Sequence, residues 1–364
     1  MSHVIETEPR GAIGLIRMTR PPVNALGHEL RDGISRAHRR FEADPAIAAT
    51  ALTGTGQFFS AGADITEFDS DRQPPLLTDL IAQLEDGAKP VIAIVNGTAY
   101  GGGFELALGC DYIYPLPGAK LAFPEIKLGN IPGAGGTQKL PRLIGGPRAL
   151  EMILSGAPIS AAEAQDIDIP EALAADEDAA LDLIARAVEK GLPRRRVRDL
   201  SVTGSPDALD AVAAPHLRRA RGAPAAAKAV EAVRMAFTAA IDDGLAWERE
   251  TFAALNASPE AQAQRHVFFA EREARKVADV RPDTPRRAIR AAGVIGAGTM
   301  GAGIAMCFAD AGLPVTLTEQ AQDRLDHGLA HIRRTYETAR DKGRITAQEA
   351  EARIARITGA IDLA

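Results

Sequence analysis

A chain of 364 residues exceeds what one ordinary hydrophobic core supports, so two or three domains are expected. Hydrophobic residues at 46% and charged residues at 25% suit a soluble globular protein, while only 4% aromatics leave the core to Ala, Leu, Ile and Val. The net charge of -6 argues against a nucleic-acid partner, and no charge-free run of roughly 18 apolar residues offers membrane insertion.

The residues of 11–19 suit a strand that Pro21 and Pro22 end. Residues 28–42 carry Leu30, Ile34, Ala37 and Phe41 at helical spacing. A strand at 48–53 runs into the turn-rich GTGQFFSAGAD, and 65–88 reads as helix apart from a loop at Pro74–Pro75. The apolar strand 91–95 then meets Gly101-Gly102-Gly103 and another helix, an α/β order. From 161 to 280 the pattern turns helical, with GLPRRRVRDL and Gly204-Ser205-Pro206 as exposed linkers. Residues 258–278 read as one helix, capped by Ser258 with Pro259 first. RPDTPRR at 281–287 looks like a boundary, and a strand at 289–295 reopens an α/β pattern. The expected division is 1–190, a helical region 191–285, and 286–364.

Cys110 and Cys307 lie too far apart in sequence to suggest a disulfide framework; each reads as a small buried apolar residue. A reducing compartment fits, and with no signal-peptide pattern in Met1–Arg10 the cytoplasm is the default. The seven histidines show no ligand spacing, so no metal is expected, and no GxSxG elbow supports serine hydrolysis.

The sharpest segments are NGTAYGGGFELALGCD at 96–111 and AFPEIKLGNIPGAGGTQKLPRLIG at 122–145. Consecutive glycines before a helix let the backbone approach a ligand and leave amides free at the helix N-terminus. Taken alone, Glu105 complements the helix dipole and Glu125 is a solvated loop residue. The two glycine contexts together carry more. With SAGADI at 60–65 and PPVNAL at 21–26, the passage resembles the enoyl-CoA hydratase/isomerase (crotonase) family over roughly residues 10–190.

That resemblance implies a crotonase-type spiral of ββα units and a two-carboxyl site. The amides of Ala63 and Gly102 would form an oxyanion hole for a thioester carbonyl. Glu105 would take a proton from the water attacking C3, and Glu125 would give one to C2, with the Gly133 amide positioning the water. Ala25 and Leu26 would serve the adenine pocket, and Ala61, Asp64 and Ile65 would lie beside the substrate. Asp64 itself reads as a cap or loop carboxylate, and Lys127 and Lys139 read as solvated. Addition of water needs one group to accept a proton and another to donate one, so proximity and burial should split their pKa values. Moving a double bond can use one carboxylate, so the pair favours hydratase over Δ3-Δ2-enoyl-CoA isomerase. Hydration needs no cofactor, and the implied partner is an acyl-CoA thioester. AEAQDIDIPEA at 162–172 departs from the family's usual Gly-Leu/Ile-Val/Ile-Asp turn.

The second site follows the strand at 289–295: GAGTMG at 296–301 opens a helix of small residues, and the strand PVTLTE ends in Glu319. Gly296, Gly298 and Gly301 fit the dinucleotide fingerprint, and Glu319 stands where an acid binds the adenosine ribose of NAD. This stretch resembles the start of the 3-hydroxyacyl-CoA dehydrogenase NAD-binding domain. The whole chain thus looks like the N-terminal part of a multifunctional fatty-acid β-oxidation enzyme. About 75 residues follow Ile289, roughly two βα units of an incomplete Rossmann-type domain, and the family's His-Phe-Phe-Asn-Pro segment does not occur. NAD is therefore a candidate ligand of that unit, but dehydrogenase activity is not expected from this chain. The expected state is a monomer or a homo-oligomer, with an unfinished sheet edge that invites association. A non-catalytic assembly module is the third reading.

Overall fold

A computed structural model describes residues 4–64, 67, 73–274, 277, 279–281, 283–285 and 287–361. The chain divides into two compact units, Met1–Arg275 and Lys276–Ala364. In the first, a hairpin of β1 (Ile5–Arg10) and β2 (Ile13–Met18) leads through α1 (His28–Ala43) to β3 (Ala49–Gly54) and the short β4 (Phe58–Ser60). Helix α2 (Leu77–Asp86), β5 (Val91–Val95), β6 (Thr98–Tyr100) and α3 (Gly102–Leu108) follow, then β7 (Tyr112–Pro115), β8 (Lys120–Ala122) and a 3-10 turn at Pro124–Leu128. From β3 onward each long strand is followed by a short one, β3 by β4, β5 by β6 and β7 by β8, and the two kinds sort into separate sheets. The long strands form the sheet β1-β2-β3-β5-β7, parallel except for the opening hairpin. The short ones pair β4-β6-β8 in parallel.

Both faces of β2, β3, β5 and β7 are buried, which explains their near-continuous apolar runs, while β1 at the edge is largely exposed. Along β5, Val91, Ala93 and Val95 face the main core with Phe59 and Phe104, while Ile92 and Ile94 face Ala180, Leu181 and Ile184 on the other side. The helical part continues with α4 (Gly136–Ile144), α5 (Gly146–Ser155), β9 (Ile159–Ser160), α6 (Ala161–Gln165) and α7 (Glu177–Glu189). After it come α8 (Ala208–Ala220), α9 (Pro224–Thr238), α10 (Ile241–Asn256) and α11 (Pro259–Ala274). Strand β9 closes the short sheet antiparallel to β8. Leu209, Ala229, Val233 and Leu255 join the same core as the strands, so the helices beyond residue 191 share the interior of the first unit.

Several expectations are corrected. Among the described residues of 65–88 the α-helix is Leu77–Asp86, while 65–66 and 68–72 lie outside the described residues. The 191–200 segment is no free linker. Arg194 donates to Asp111 at 3.0 Å and to the carbonyls of Gly87, Leu84, Glu85 and Lys89, capping the end of α2, and Val197 is buried. Lys139 is not solvated: it is 1% exposed and 2.7 Å from the equally buried Glu85. Neighbouring apolar positions turn this face of α4 inward, and a charge there survives only with a partner. Cys110 is buried as expected, whereas Cys307 is exposed. Ser258 does cap α11, accepting from the Ala261 amide at 3.2 Å.

The second unit runs β10 (Ala292–Ile295), α12 (Thr299–Asp310), β11 (Val315–Thr318), α13 (Gln322–Asp341), α14 (Ala347–Ala355) and β12 (Ile357–Ala360). Its three strands are parallel in the order β10-β11-β12, one more than two βα units supply. Val294, Leu317, Leu325, Ile332 and Tyr336 give it a core of its own.

The buried pair of α4 makes a stability prediction. Lys139→Met leaves Glu85 buried with only Arg198, 3.5 Å away, for compensation. The expected loss is about 3 kcal/mol in urea denaturation; a loss under about 1 kcal/mol would mean the pair is solvated.

Candidate active site

Four backbone turns converge on one cavity of about 300 Å3, whose wall includes Leu26, Ala61, Gly62, Ala63, Asp64, Gly101, Gly102, Glu105, Glu125 and Gly133. Two of the turns require glycine. Gly62 has φ +96, and a Cβ there would sit 2.7 Å from the Tyr100 carbonyl and 3.1 Å from the Gly102 nitrogen. Gly101 has φ +52, and its Cβ would lie 2.6 Å from Oε1 of Glu125. The missing side chain of Gly101 is the space the Glu125 carboxyl occupies. A Cβ on Gly102 would lie 3.3 Å from the Ala63 nitrogen, so the amides of Ala63 and Gly102 are neighbours. Gly102 opens α3, where the first amides have no partner within the helix.

Glu105 stands one turn into α3, 3% exposed. Its Oε1 accepts from the amides of Ala134 at 2.6 Å and Gly136 at 2.9 Å. Burial raises its pKa; those amides, Lys139 and the Gly133 amide pull the other way. Glu125 is the second residue of the 3-10 turn after β8, and its Oε2 is buried without a hydrogen-bond partner. Burial first, and then the charge of Glu105, hold its pKa well above the ordinary carboxylate range. The two carboxyls therefore differ: one is surrounded by donors, the other has an uncompensated oxygen.

Of the other sequence candidates, Ala61 and Leu26 line the cavity, while Ala25 is not in its wall and gives its carbonyl to Arg20 at 2.8 Å. Asp64 lines it and pairs with Arg20 at 2.8 Å. Ile65 lies outside the described residues. Lys127 donates to the Gly156 carbonyl at 2.6 Å.

Sequence reasoning missed α10. Phe252 and Ala253 wall the cavity, and a Cβ on Gly133 would meet the Phe252 ring at 2.5 Å. Glu248 is fully buried; it accepts from Gly135 N at 2.5 Å, from Thr137 N at 2.8 Å and from the Thr137 hydroxyl. Burial, then the nearby Glu105, raise its pKa to about 8 against those three donors. The signal was present: Gly244, Glu248, Thr251 and Leu255 fall on one helical face, so an acid sits on a buried stripe.

In the second unit, Gly296 has φ +97, and a Cβ on Gly301 would collide with the Gly296 carbonyl. Nothing lies within 4 Å of a Cβ on Gly298, which precedes α12. Glu319 accepts from the Ala297 amide at 3.1 Å, which brings the acid to the glycine turn. A turn, an open approach and an acid beside it fit a dinucleotide. Among the described residues, no group of three or more His, Cys, Asp or Glu could hold a metal, and no helix is long and apolar enough to cross a membrane.

The enoyl-CoA hydratase/isomerase family profile matches residues 8–196, more than half of the chain. The chain belongs to the enoyl-CoA hydratase/isomerase family. Residues 291–364 match the NAD-binding domain of 3-hydroxyacyl-CoA dehydrogenase. The peroxisomal bifunctional enzyme of Danio rerio is 40% identical over 328 residues, covering 87% of this chain and 45% of its own length. The glyoxysomal fatty acid beta-oxidation multifunctional protein MFP-a of Cucumis sativus is 32% identical over 373 residues, 96% of this chain and 51% of its own. This chain thus spans about half the length of these relatives. Among solved structures, a carnitinyl-CoA dehydratase from Mycobacterium avium 104 is 27% identical with a TM-score of 0.56, covering 73% of this chain and 97% of that one. The family's hydratase fold followed by the start of a Rossmann-type unit is the α/β architecture the sequence led us to expect.

The raised pKa of Glu248 sets a pH dependence. From its ordinary 4.5 up to about 8 the folded state holds a proton that the unfolded chain has lost. The stability linked to that proton is full below 4.5 and is lost as pH rises toward 8. Glu248→Gln has no proton to lose, so urea denaturation should show wild type losing stability relative to this variant across that window. A pH-independent difference would refute the shift.

Proposed function

We propose that the first unit catalyses the reversible hydration of trans-2-enoyl-CoA to 3-hydroxyacyl-CoA. The observation that carries this is the unlike pair: Glu105 held by two amides, and Glu125 with a buried unpartnered oxygen and a strongly raised pKa. In the forward direction the amides of Ala63 and Gly102 receive the thioester oxygen as negative charge builds on it. Glu105, as carboxylate, takes a proton from the water that adds to C3. Glu125, as carboxylic acid, gives its proton to C2, and transfer of the proton from Glu105 to Glu125 restores the starting state. The Gly133 amide, near Glu105, would orient the water. Leu77, Leu128 and Phe252 offer apolar wall for the acyl chain. Leu26, Ala61 and Asp64 would flank the CoA end; Ala25 would contribute backbone only.

We place the reaction in fatty-acid β-oxidation, the process named for the cucumber relative. In the second unit, Gly296, Gly298 and Gly301 would hold the pyrophosphate of NAD and Glu319 its adenosine ribose, NAD supplying hydride acceptance when bound. The two unpaired cysteines support a reducing compartment, whether the cytoplasm or the organelle named for the relatives.

The test is loss of conjugated absorbance from crotonyl-CoA without NAD. Wild type should consume it, and Glu105→Gln and Glu125→Gln should each lower kcat by about 100-fold to 10,000-fold. Folded wild type with no activity would overturn the hydratase reading. Separately, Gly298→Val fills the open approach to the glycine turn. NADH fluorescence titration should show binding weakened by about tenfold or more, with hydration unchanged; equal binding by both proteins would remove NAD from this turn.

A further inference from the structure

The loop between the 3-10 turn and α4 is held from two sides. Successive amides in it point alternately: Ala134 and Gly136 donate to Glu105 on α3, while Gly135 and Thr137 donate to Glu248 on α10. The Thr137 hydroxyl adds a third bond to Glu248. Both acids are buried, at 3% and 0% exposure, and they repel one another. Helix α10 is seated closely enough for this because it presents Gly244 to α4, where a Cβ would collide with the Gln138 side chain. Backbone amides cannot be replaced by mutation, so whatever fixes their direction fixes how well they hold Glu105.

We propose that Glu248 is a positioning residue for hydration, orienting the 133–137 loop so that its amides hold Glu105 ready to act on water. This role rests on the hydratase reading above. Nothing in the chemistry requires Glu248 to touch substrate. Its effect passes through the loop and through charge. The charged groups around it are Glu105 from α3, Lys139 from α4, Glu85 from α2, Arg198, and Asp242 and Arg249 on its own helix. Lys139 is paired with Glu85, and Arg198 with Asp242 at 2.5 Å, so the cations on this side are already engaged by acids, apart from the exposed Arg249. Once ionised, toward pH 8, Glu248 also raises the pKa of Glu125.

Glu248→Gln keeps the shape, removes the ionisable group and turns one acceptor into a donor facing the Thr137 amide. Hydration of crotonyl-CoA should show kcat reduced by about tenfold to a hundredfold and KM within about twofold. The acid limb of the kcat profile, set by Glu105, should move to higher pH as the amides that favour its carboxylate lose alignment, and the alkaline limb, set by Glu125, to lower pH without the Glu248 charge that raises it. A residue that merely supported the fold would leave the limbs in place. Thr137→Val, isosteric and missing only the hydroxyl, carries the same test if Glu248→Gln does not fold. It removes one of the three bonds between the loop and Glu248 and leaves Glu248 less readily ionised, so the limbs move the same way by less. Active wild type with unmoved limbs in the variant that folds overturns the positioning role alone. Inactive folded wild type overturns the hydration reading and this role with it.

Discussion

A carboxylate taken out of water must find donors within the protein, and the cavity of the first unit is organised around that requirement. Glu105 reaches its donors only because the 133–137 loop runs past it with alternate amides turned its way. On the loop's other side a second buried acid takes the amides that point away from Glu105. The glycines of the neighbouring turns answer the same demand for space, most directly at Gly101, where a side chain is given up to Glu125. What differs between the acids is supply: two amide bonds for one and an unpartnered oxygen for the other.

The scaffold beneath is stiff where this matters. A sheet buried on both faces delivers β5 and β7 to fixed heights, and Asp111, at the start of β7, ties the strand ends to the Arg194 segment. Arg194 in turn collects carbonyls at the end of α2, a helix that walls the cavity through Leu77. The buried Lys139–Glu85 pair joins α4 to α2 behind the loop. Packing, ion pairs and amide bonds thus converge on the same few residues.

Much of this could be read from residues in order. Strands of apolar runs, the α1 periodicity and the cap at Ser258 are local signals, and the structure puts elements there. Glu105, Glu125 and the glycine turns around them were marked by motif, and they do meet in one cavity. Short strands such as β4, β6 and β8, of three residues each, were not legible, because such a strand exists only through its neighbours. Lys139 and Arg194 were misjudged for a related reason: a cation's burial depends on a partner far along the chain. Glu248 was hidden by the same distance, 113 residues from the amide it binds.

That separation has a bearing on how the molecule comes into being. A ribosome delivers the chain from its N-terminus, and the strands, the glycine turns and both Glu105 and Glu125 emerge well before α10. Until residue 248 is out, the 133–137 loop has acceptors on one side only, and the Gly135 and Thr137 amides must look to water. The cavity is therefore completed late, by a segment that carries none of the family's motifs, and a nascent chain already showing every one of them would not yet have its working loop.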